Sequence, residues 1–257
     1  MDGAAGAGAA MAAAAATTGD DGGAAARRQP RVVPVKVWDA PVRLLHWSLV
    51  LLLPLSAWSG LTARWDLHFA TGYAILALLL FRLAWGVVGS DTARFARFLR
   101  SPVEGLRHLR HLGRREPDTE IGHNAAGGWM VLALLGVLFV QTAAGLFADD
   151  GIFTRGPLAR SVSGAASDLA TSIHLRGWWL IAAAVALHVL AVLAYALLKG
   201  QDLVRPMVTG TKRLPAALAA ARAPRLGHPA LALALLAAAA VAVYAISRVG
   251  AGAAAAW

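Results

Sequence analysis

Cysteine is absent from this chain of 257 residues. Its absence excludes disulfides, iron–sulfur clusters, cysteine-ligated zinc, a thiol nucleophile and covalently attached haem of the c type. Any metal or cofactor must therefore be held by histidine, carboxylate, methionine or tyrosine side chains. The chain offers eight histidines for that purpose.

Charge is also scarce: 15% of the residues are charged, against about 25% in a typical soluble domain. Hydrophobic residues make up 58% of the chain, and the mean hydropathy is +0.58. This composition predicts a polytopic membrane protein surrounded by lipid. The net charge of +10 is concentrated between apolar segments, so we attribute it to membrane topology and expect no nucleic-acid partner.

Five apolar segments of about 18 to 25 residues each are long enough to cross a hydrocarbon core of ~30 Å as helices. We therefore predict an all-α integral membrane protein: a transmembrane bundle of four helices and a fifth, C-terminal transmembrane helix that is rich in alanine and carries no histidine. The predicted spans are 44–61, 68–88, 125–147, 174–198 and 230–249.

The predicted domains follow from these segments. Residues 1–34 form a disordered tail rich in alanine and glycine, residues 35–210 form the core transmembrane domain, and residues 211–257 form a linker and the extra helix.

Arginine and lysine are concentrated before the first segment, between the second and third, and after the fourth. The positive-inside rule then predicts a cytoplasmic N-terminus. The turn 62–67 and a loop 148–173 face outward. The connection 93–112 is predicted to be an amphipathic helix that lies on anionic lipid, with solvated histidines at His108 and His111; a docking surface for a soluble partner is the alternative.

Four histidines lie within the first, second and fourth apolar segments, where an ionisable side chain is costly and indicates function. His174 and His188 are 14 residues apart, which places them about 21 Å apart on nearly the same helix face. Counting from the helix ends places His46 at the depth of His188, and His68 at the depth of His174. The sequence thus predicts two histidine pairs stacked across the bilayer.

Two facing imidazoles are the axial ligands of six-coordinate haem b, which suits electron transfer. We predict two stacked haems, with His46 and His188 on the inner haem iron and His68 and His174 on the outer haem iron. The alternatives are hydrogen bonds between helices, a proton pathway or a zinc site. Zinc usually recruits a carboxylate or cysteine, which the predicted core lacks.

Several stretches resemble the prokaryotic cytochrome b561 family, which includes the b-type cytochrome subunit of nickel–iron hydrogenases. They cover about residues 35–210 and include VWDAPVRLLHWSLV, HFATGYAILALLLFRLAWGVVG, ARFARFLRSP, GHNAAGGWMVLALL, TAAGLFADDGIFTRGPL, HVLAVLAYALLKG and LVRPMVTG. The resemblance implies a di-haem b core in the bacterial inner membrane, with the same four histidines as axial ligands.

The resemblance also implies electron transfer between the quinone pool (ubiquinone or menaquinone) and a periplasmic partner, which is a hydrogenase subunit or a c-type cytochrome. The protein would then be a subunit of a respiratory oxidoreductase. One alternative is a stand-alone quinone reductase that oxidises a small molecule such as superoxide at the outer haem, steered by a basic funnel. Another is a haem-free membrane scaffold or proton pathway. The arginines of the funnel would be Arg64, Arg155, Arg160 and Arg176.

Polar residues near the predicted haems are candidates for contacts with the cofactors. Arg82 at the inner haem, and Arg64 and Arg176 at the outer haem, could hold haem propionates by charge-assisted hydrogen bonds; Arg82 could instead snorkel to water. His123 and Asn124 could donate hydrogen bonds to a quinone carbonyl near the inner haem. For His123, a propionate contact or an ordinary interfacial position are alternatives.

Overall fold

The computed structural model describes residues 31–110, 113–115, 119–152 and 154–254. Most of the predicted N-terminal tail and His111 lie outside these residues. In chain order the elements are β1 Val32–Lys36, α1 Ala40–Leu61, α2 Trp65–Val88, α3 Phe95–Phe98, α4 Pro102–Arg110, α5 Ala125–Phe147, a 3₁₀ turn Ala159–Ser161, α6 Gly164–Ala194 with a π-helical turn Tyr195–Lys199, α7 Val204–Thr209, β2 Thr211–Pro215, α8 Ala216–Arg222 and α9 Pro229–Ala254.

Five of the described helices are long and apolar enough to cross a membrane: α1, α2, α5, α6 with its π-helical turn, and α9. The prediction of an all-α membrane protein with five spanning segments is confirmed. Many leucines and valines on these helices remain exposed within the monomer, as expected where lipid rather than protein covers the surface.

The loop that was predicted to face outward is shorter than expected. Ser163 caps the N-terminus of α6 by accepting a hydrogen bond from the Ala166 backbone N–H, so the helix begins ten residues before His174. The prediction of a loop through residue 173 was therefore wrong for residues 164–173. The first turns of α6 consist mostly of small residues and include Asp168, so hydropathy does not reveal them. The Ser167 hydroxyl donates to the Phe147 carbonyl oxygen at the end of α5, and the Thr171 hydroxyl accepts from the Asp149 backbone N–H.

The inner connection contains two short helices, α3 and α4, where one amphipathic helix was predicted. Residues 99–101 separate them, in front of Pro102, which disfavours helical backbone at the residue before it. The imidazole of His108 stacks on the Tyr195 ring at a centroid distance of 6.0 Å. His108 is thus half-buried and less solvated than predicted.

Helix α2 is the centre of the bundle and the most buried of the spanning helices. On one side Ile75 and Leu79 pack with leucines of α5. On another side Phe81 and Trp85 belong to a core cluster that includes Ala232 and Ala239 of α9. The fifth helix is thus packed against the bundle through its small residues, which allow close approach of helices in a membrane.

A two-stranded antiparallel sheet joins the two ends of the predicted core domain. Strands β1 and β2 pair from Val32 with Pro215 to Lys36 with Thr211. Beyond the strands, the Gly210 carbonyl accepts hydrogen bonds from the backbone N–H groups of Val37 and Trp38. The predicted boundaries at 34/35 and 210/211 fall at this sheet, and the division into domains stays a prediction.

Asp39 connects three parts of the end of the bundle that carries the sheet. Its buried carboxylate caps α1 by accepting a hydrogen bond from the Val42 backbone N–H at 2.7 Å, and it also accepts from the indole Nε1 of Trp85 at 2.9 Å and from the Ser90 hydroxyl. Ser90 in turn accepts a hydrogen bond from the Gly227 backbone N–H, just before α9.

We expect Asp39→Ala to destabilise the protein by about 3 kcal/mol, because it removes a helix cap and leaves two buried donors without their acceptor. The exposed cap Ser163 makes one such bond to its helix, so Ser163→Ala should cost only about 1 kcal/mol. Thermal unfolding of the detergent-solubilised variants, followed by circular dichroism, measures the difference. Equal losses in the two variants would show that the Asp39 network does not stabilise the inner end.

Candidate haem sites

The structure brings His68 of α2 and His174 of α6 together near the predicted outer surface, with ring centroids 5.9 Å apart. The Nδ1 atom of His68 lies 2.9 Å from the Ser56 carbonyl oxygen of α1. The Nδ1 atom of His174 lies 2.9 Å from the Gln141 carbonyl oxygen of α5. Because a carbonyl oxygen only accepts, each Nδ1–H must donate, which leaves each Nε2 with a free lone pair for a metal.

Two glycines allow these rings to lie against neighbouring helices. A Cβ atom on Gly60 would lie 2.9 Å from Nδ1 of His68, and one on Gly145 would lie 2.8 Å from Cε1 of His174. Neither glycine was predicted as a site residue, and neither was Gln141, whose side-chain amide donates to the His174 carbonyl oxygen at 2.8 Å. An amide within an otherwise apolar span was the available signal for Gln141.

The second pair, His46 of α1 and His188 of α6, has ring centroids 6.4 Å apart. Nδ1 of His46 is buried and has no hydrogen-bond partner among the described residues. All four predicted histidines are therefore found in the two expected pairs, each between α6 and one helix of the α1–α2 hairpin.

The separation within each pair suits a metal ion held between the two imidazoles. A metal ion about 2.0 Å from one nitrogen of each ring would place the ring centroids roughly 6 Å apart. The observed centroid distances of 5.9 Å and 6.4 Å are close to that value. No group of three or more His, Asp or Glu side chains that could hold a metal is found in the described parts of the chain. A pair of axial imidazoles instead fits a porphyrin, which supplies the other four ligands.

Arg82 of α2 is 3% exposed, so it does not snorkel to water. Its guanidinium carbon lies 4.8 Å from the centroid of the Phe95 ring. Its Nη1 atom is buried and has no hydrogen-bond partner among the described residues. A buried cationic donor is costly without an acceptor. A haem propionate is an anion of the kind this guanidinium requires.

The two arginines predicted at the outer haem are exposed. Arg64 precedes α2 and lies 5.8 Å from the Trp58 ring centroid, and Arg176 lies two residues after His174 on α6. Their roles as propionate ligands remain predictions. Arg155, which we considered as part of a basic funnel, forms a salt bridge with Asp149 at 2.5 Å. That pairing weakens the case for a funnel that attracts a small anion.

His123 lies between two aromatic rings at the inner end of the bundle, with centroid distances of 4.6 Å to Trp38 and 4.6 Å to Phe98. Burial lowers the pKa of His123 to about 3, with smaller contributions from the positive charges of Arg82 and Lys212 and from His188. Its ring is therefore neutral at ordinary pH. Its Nδ1 atom is buried without a hydrogen-bond partner among the described residues.

Asn124 caps α5. Its side-chain oxygen accepts a hydrogen bond from the Gly127 backbone N–H at 2.7 Å. That oxygen is therefore engaged by the helix, and only the amide N–H₂ group remains as a donor toward a ligand.

Comparison with known proteins agrees with the geometry. The profile of the family described as prokaryotic cytochrome b561 matches residues 37–210. The chain is similar to the probable Ni/Fe-hydrogenase 1 B-type cytochrome subunits of Escherichia coli K12 and of Escherichia coli O157:H7. Each is 27% identical over 221 residues, covering 71% of this chain and 92% of the relative. No solved structure matches significantly.

The match spans more than half of the chain, includes all four paired histidines, and confirms the family predicted from the sequence motifs. The chain therefore belongs to the prokaryotic cytochrome b561 family of membrane cytochromes that carry haem b and transfer electrons.

Proposed function

We propose that this protein is a di-haem cytochrome of the bacterial inner membrane that transfers electrons between a periplasmic redox partner and the quinone pool. The observation that carries the proposal is the pair of facing histidine sites that share α6. Because His174 and His188 are 14 residues apart, the helical rise separates the sites by about 21 Å. The two sites thus extend over most of a ~30 Å hydrocarbon core.

His46 and His188 would hold the inner haem, and His68 and His174 the outer one. Bis-imidazole haem b supplies a one-electron couple between Fe(III) and Fe(II). The chain's part is to hold and orient the ligands: the carbonyl oxygens of Ser56 and Gln141 fix the outer imidazoles, and hydrogen bonds of this kind also raise the basicity of a ligand. Arg82 would neutralise a propionate of the inner haem.

The orientation rests on the distribution of positive charge. The residues before α1, the connection that contains α3 and α4, and the region after α6 carry most of the arginines and lysines. The positive-inside rule places these segments, and with them the N-terminus, in the cytoplasm. The sheet of β1 and β2 and the His46–His188 pair are then at the inner side, and the His68–His174 pair is at the outer side.

A quinone carbonyl would bind at the inner side, where His123 and the amide of Asn124 offer donors. Three observations support His123: its ring is neutral, its Nδ1 has no partner among the described residues, and Trp38 and Phe98 enclose it. A neutral imidazole can donate to a quinone carbonyl or accept from a quinol hydroxyl. The quinone is ubiquinone or menaquinone.

The outer partner would be a hydrogenase subunit or a c-type cytochrome. The similarity to the hydrogenase cytochrome subunits of Escherichia coli supports the former. The described outer loop offers a docking surface: the Asp149–Arg155 ion pair closes its base, and Ile152 near its tip is 78% exposed.

Haem content tests the two sites. We expect about two haems b per chain in the purified wild type, and about one in His188→Ala, because the inner haem loses an axial ligand. His228→Ala is the control, since His228 is exposed outside both pairs and should leave the ratio unchanged. A pyridine haemochrome assay gives the ratio. A His188→Ala variant with the full wild-type content would remove this residue from the proposed ligands.

The close contact at Gly145 predicts a specific effect on the outer haem. Gly145→Ala should reduce outer haem occupancy or shift its low-spin electron paramagnetic resonance signal, because the new methyl group collides with the His174 ring. Gly164→Ala is the matched control: it lies on α6, where a Cβ would meet nothing within 4 Å. Identical spectra for the two variants would show that His174 does not need this contact.

The quinone proposal predicts that His123→Leu slows reduction of the haems by a quinol analogue about tenfold, the loss expected for one hydrogen bond in the reactive complex. The lowered pKa of His123 keeps its ring neutral above about pH 4, so the factor should stay constant from pH 5 to pH 8. Asn124→Ser retains an N-cap and tests the amide separately. Stopped-flow spectroscopy measures the rate of haem reduction in both variants, and their haem content serves as the control. Wild-type rates in both variants would exclude this quinone site.

A further inference from the structure

A polar cavity of about 320 Å³ lies at the inner end of the bundle, apart from both histidine pairs. It is bordered by α4, by residues 119–125 and by the segment that follows α6. Four basic side chains and two carboxylates line it: Arg100, Arg107, Lys199, Lys212, Glu104 and Glu120. None of these six side chains is a proposed haem or quinone ligand, although Asn124, a proposed quinone donor, also borders the cavity.

The depth of the cavity is fixed by two membrane spans that end at its wall. Ala125, which begins α5, and Lys199, which ends the span of α6, both line it. The cavity therefore lies where the hydrocarbon core gives way to the polar lipid headgroups.

Lys199 is the unusual member of the set, because it is only 7% exposed. Its ammonium nitrogen lies 5.9 Å from the centroid of the Tyr195 ring. None of the described residues accepts a hydrogen bond from this nitrogen or forms an ion pair with it. A largely buried cation is costly without an anion nearby, so the cavity that it lines is the place for one.

Among the described residues that line the cavity, four side chains are cationic and two are carboxylates. Arg100 forms a salt bridge with Glu120 at 3.1 Å, and the Lys212 ammonium donates to the Glu120 carbonyl oxygen at 2.8 Å. The described part of the lining therefore favours an anionic ligand over a cationic one.

We propose that this cavity binds the phosphate group of an anionic lipid headgroup, with Lys199 as the buried counter-ion. Basic pockets at the cytoplasmic ends of membrane helices commonly recognise such headgroups. The surroundings favour a lipid over free phosphate. Leu197 and Leu198, directly before Lys199, are 72% and 49% exposed and offer an apolar surface for the acyl chains.

The test measures lipid binding to the haem-loaded protein, delipidated in a non-ionic detergent. Native mass spectrometry follows titrations with phosphatidylglycerol, with phosphatidylcholine and with inorganic phosphate. We expect phosphatidylglycerol to bind more tightly than phosphatidylcholine, and Lys199→Gln to weaken its binding roughly fivefold or more, the contribution of one cation near an anionic lipid.

Two further variants keep the test independent of folding defects. Arg107→Gln removes an exposed cation of the cavity and should weaken binding several-fold. Arg110→Gln removes a charge from the same helix outside the cavity and should have no effect. If inorganic phosphate displaces the lipid and its binding is also weakened by Lys199→Gln, the cavity is a phosphate site that soluble phosphate can fill. If only the lipid binds, the lipid headgroup is the ligand.

Two outcomes would overturn the proposal. The first is unchanged binding of phosphatidylglycerol in both Lys199→Gln and Arg107→Gln. The second is loss of haem from Arg107→Gln, which would mean that the cavity holds a haem propionate. Neither outcome bears on the four histidines, so this proposal and the proposed function fail separately.

Discussion

The shared helix α6 is the constraint on which the rest of the structure depends. It carries His174 and His188 on nearly the same face, 14 residues apart, so one rigid element fixes both the separation and the orientation of the two sites. The α1–α2 hairpin must then present His46 and His68 at matching depths. Its short turn at residues 62–64 achieves this, because each helix of the hairpin carries the histidine nearest one end of the bundle.

The two sites are held in different ways. At the outer pair, carbonyl oxygens of α1 and α5 accept from the histidine rings, and Gly60 and Gly145 let the rings approach the backbone. This arrangement fixes the imidazoles before any ligand binds. At the inner pair, Nδ1 of His46 and Nη1 of Arg82 are buried without partners among the described residues. Because unpaired buried polar groups are costly, the inner site would depend more on a bound cofactor than the outer one.

Local regularities explain which features could be predicted from the sequence. Apolar segment length and helical rise suffice to place the five helices and the four paired histidines, since both depend on residues of one segment. The early start of α6 was missed because Gly164 to Thr171 consists mostly of small residues and includes Asp168, so hydropathy does not distinguish it from a loop. Gln141 and Gly145 matter only because α5 lies against α6. The pairing of β1 with β2 joins residues far apart in the chain through short strands, so periodicity could not reveal it.

The positive charges at the inner end have two different physical roles. Most of the arginines there are exposed. A charge that only sets membrane orientation needs no burial, and burial would cost it its hydration. Arg82 and Lys199 are 3% and 7% exposed, so topology does not account for their positions. Each bears the cost of desolvation, and an anion within reach would offset it. The two proposed anions, a haem propionate at Arg82 and a lipid phosphate at Lys199, would have different origins, one within the bundle and one in the membrane. On these proposals, the end of the bundle that carries β1 and β2 would combine cofactor binding with attachment to the surrounding lipid.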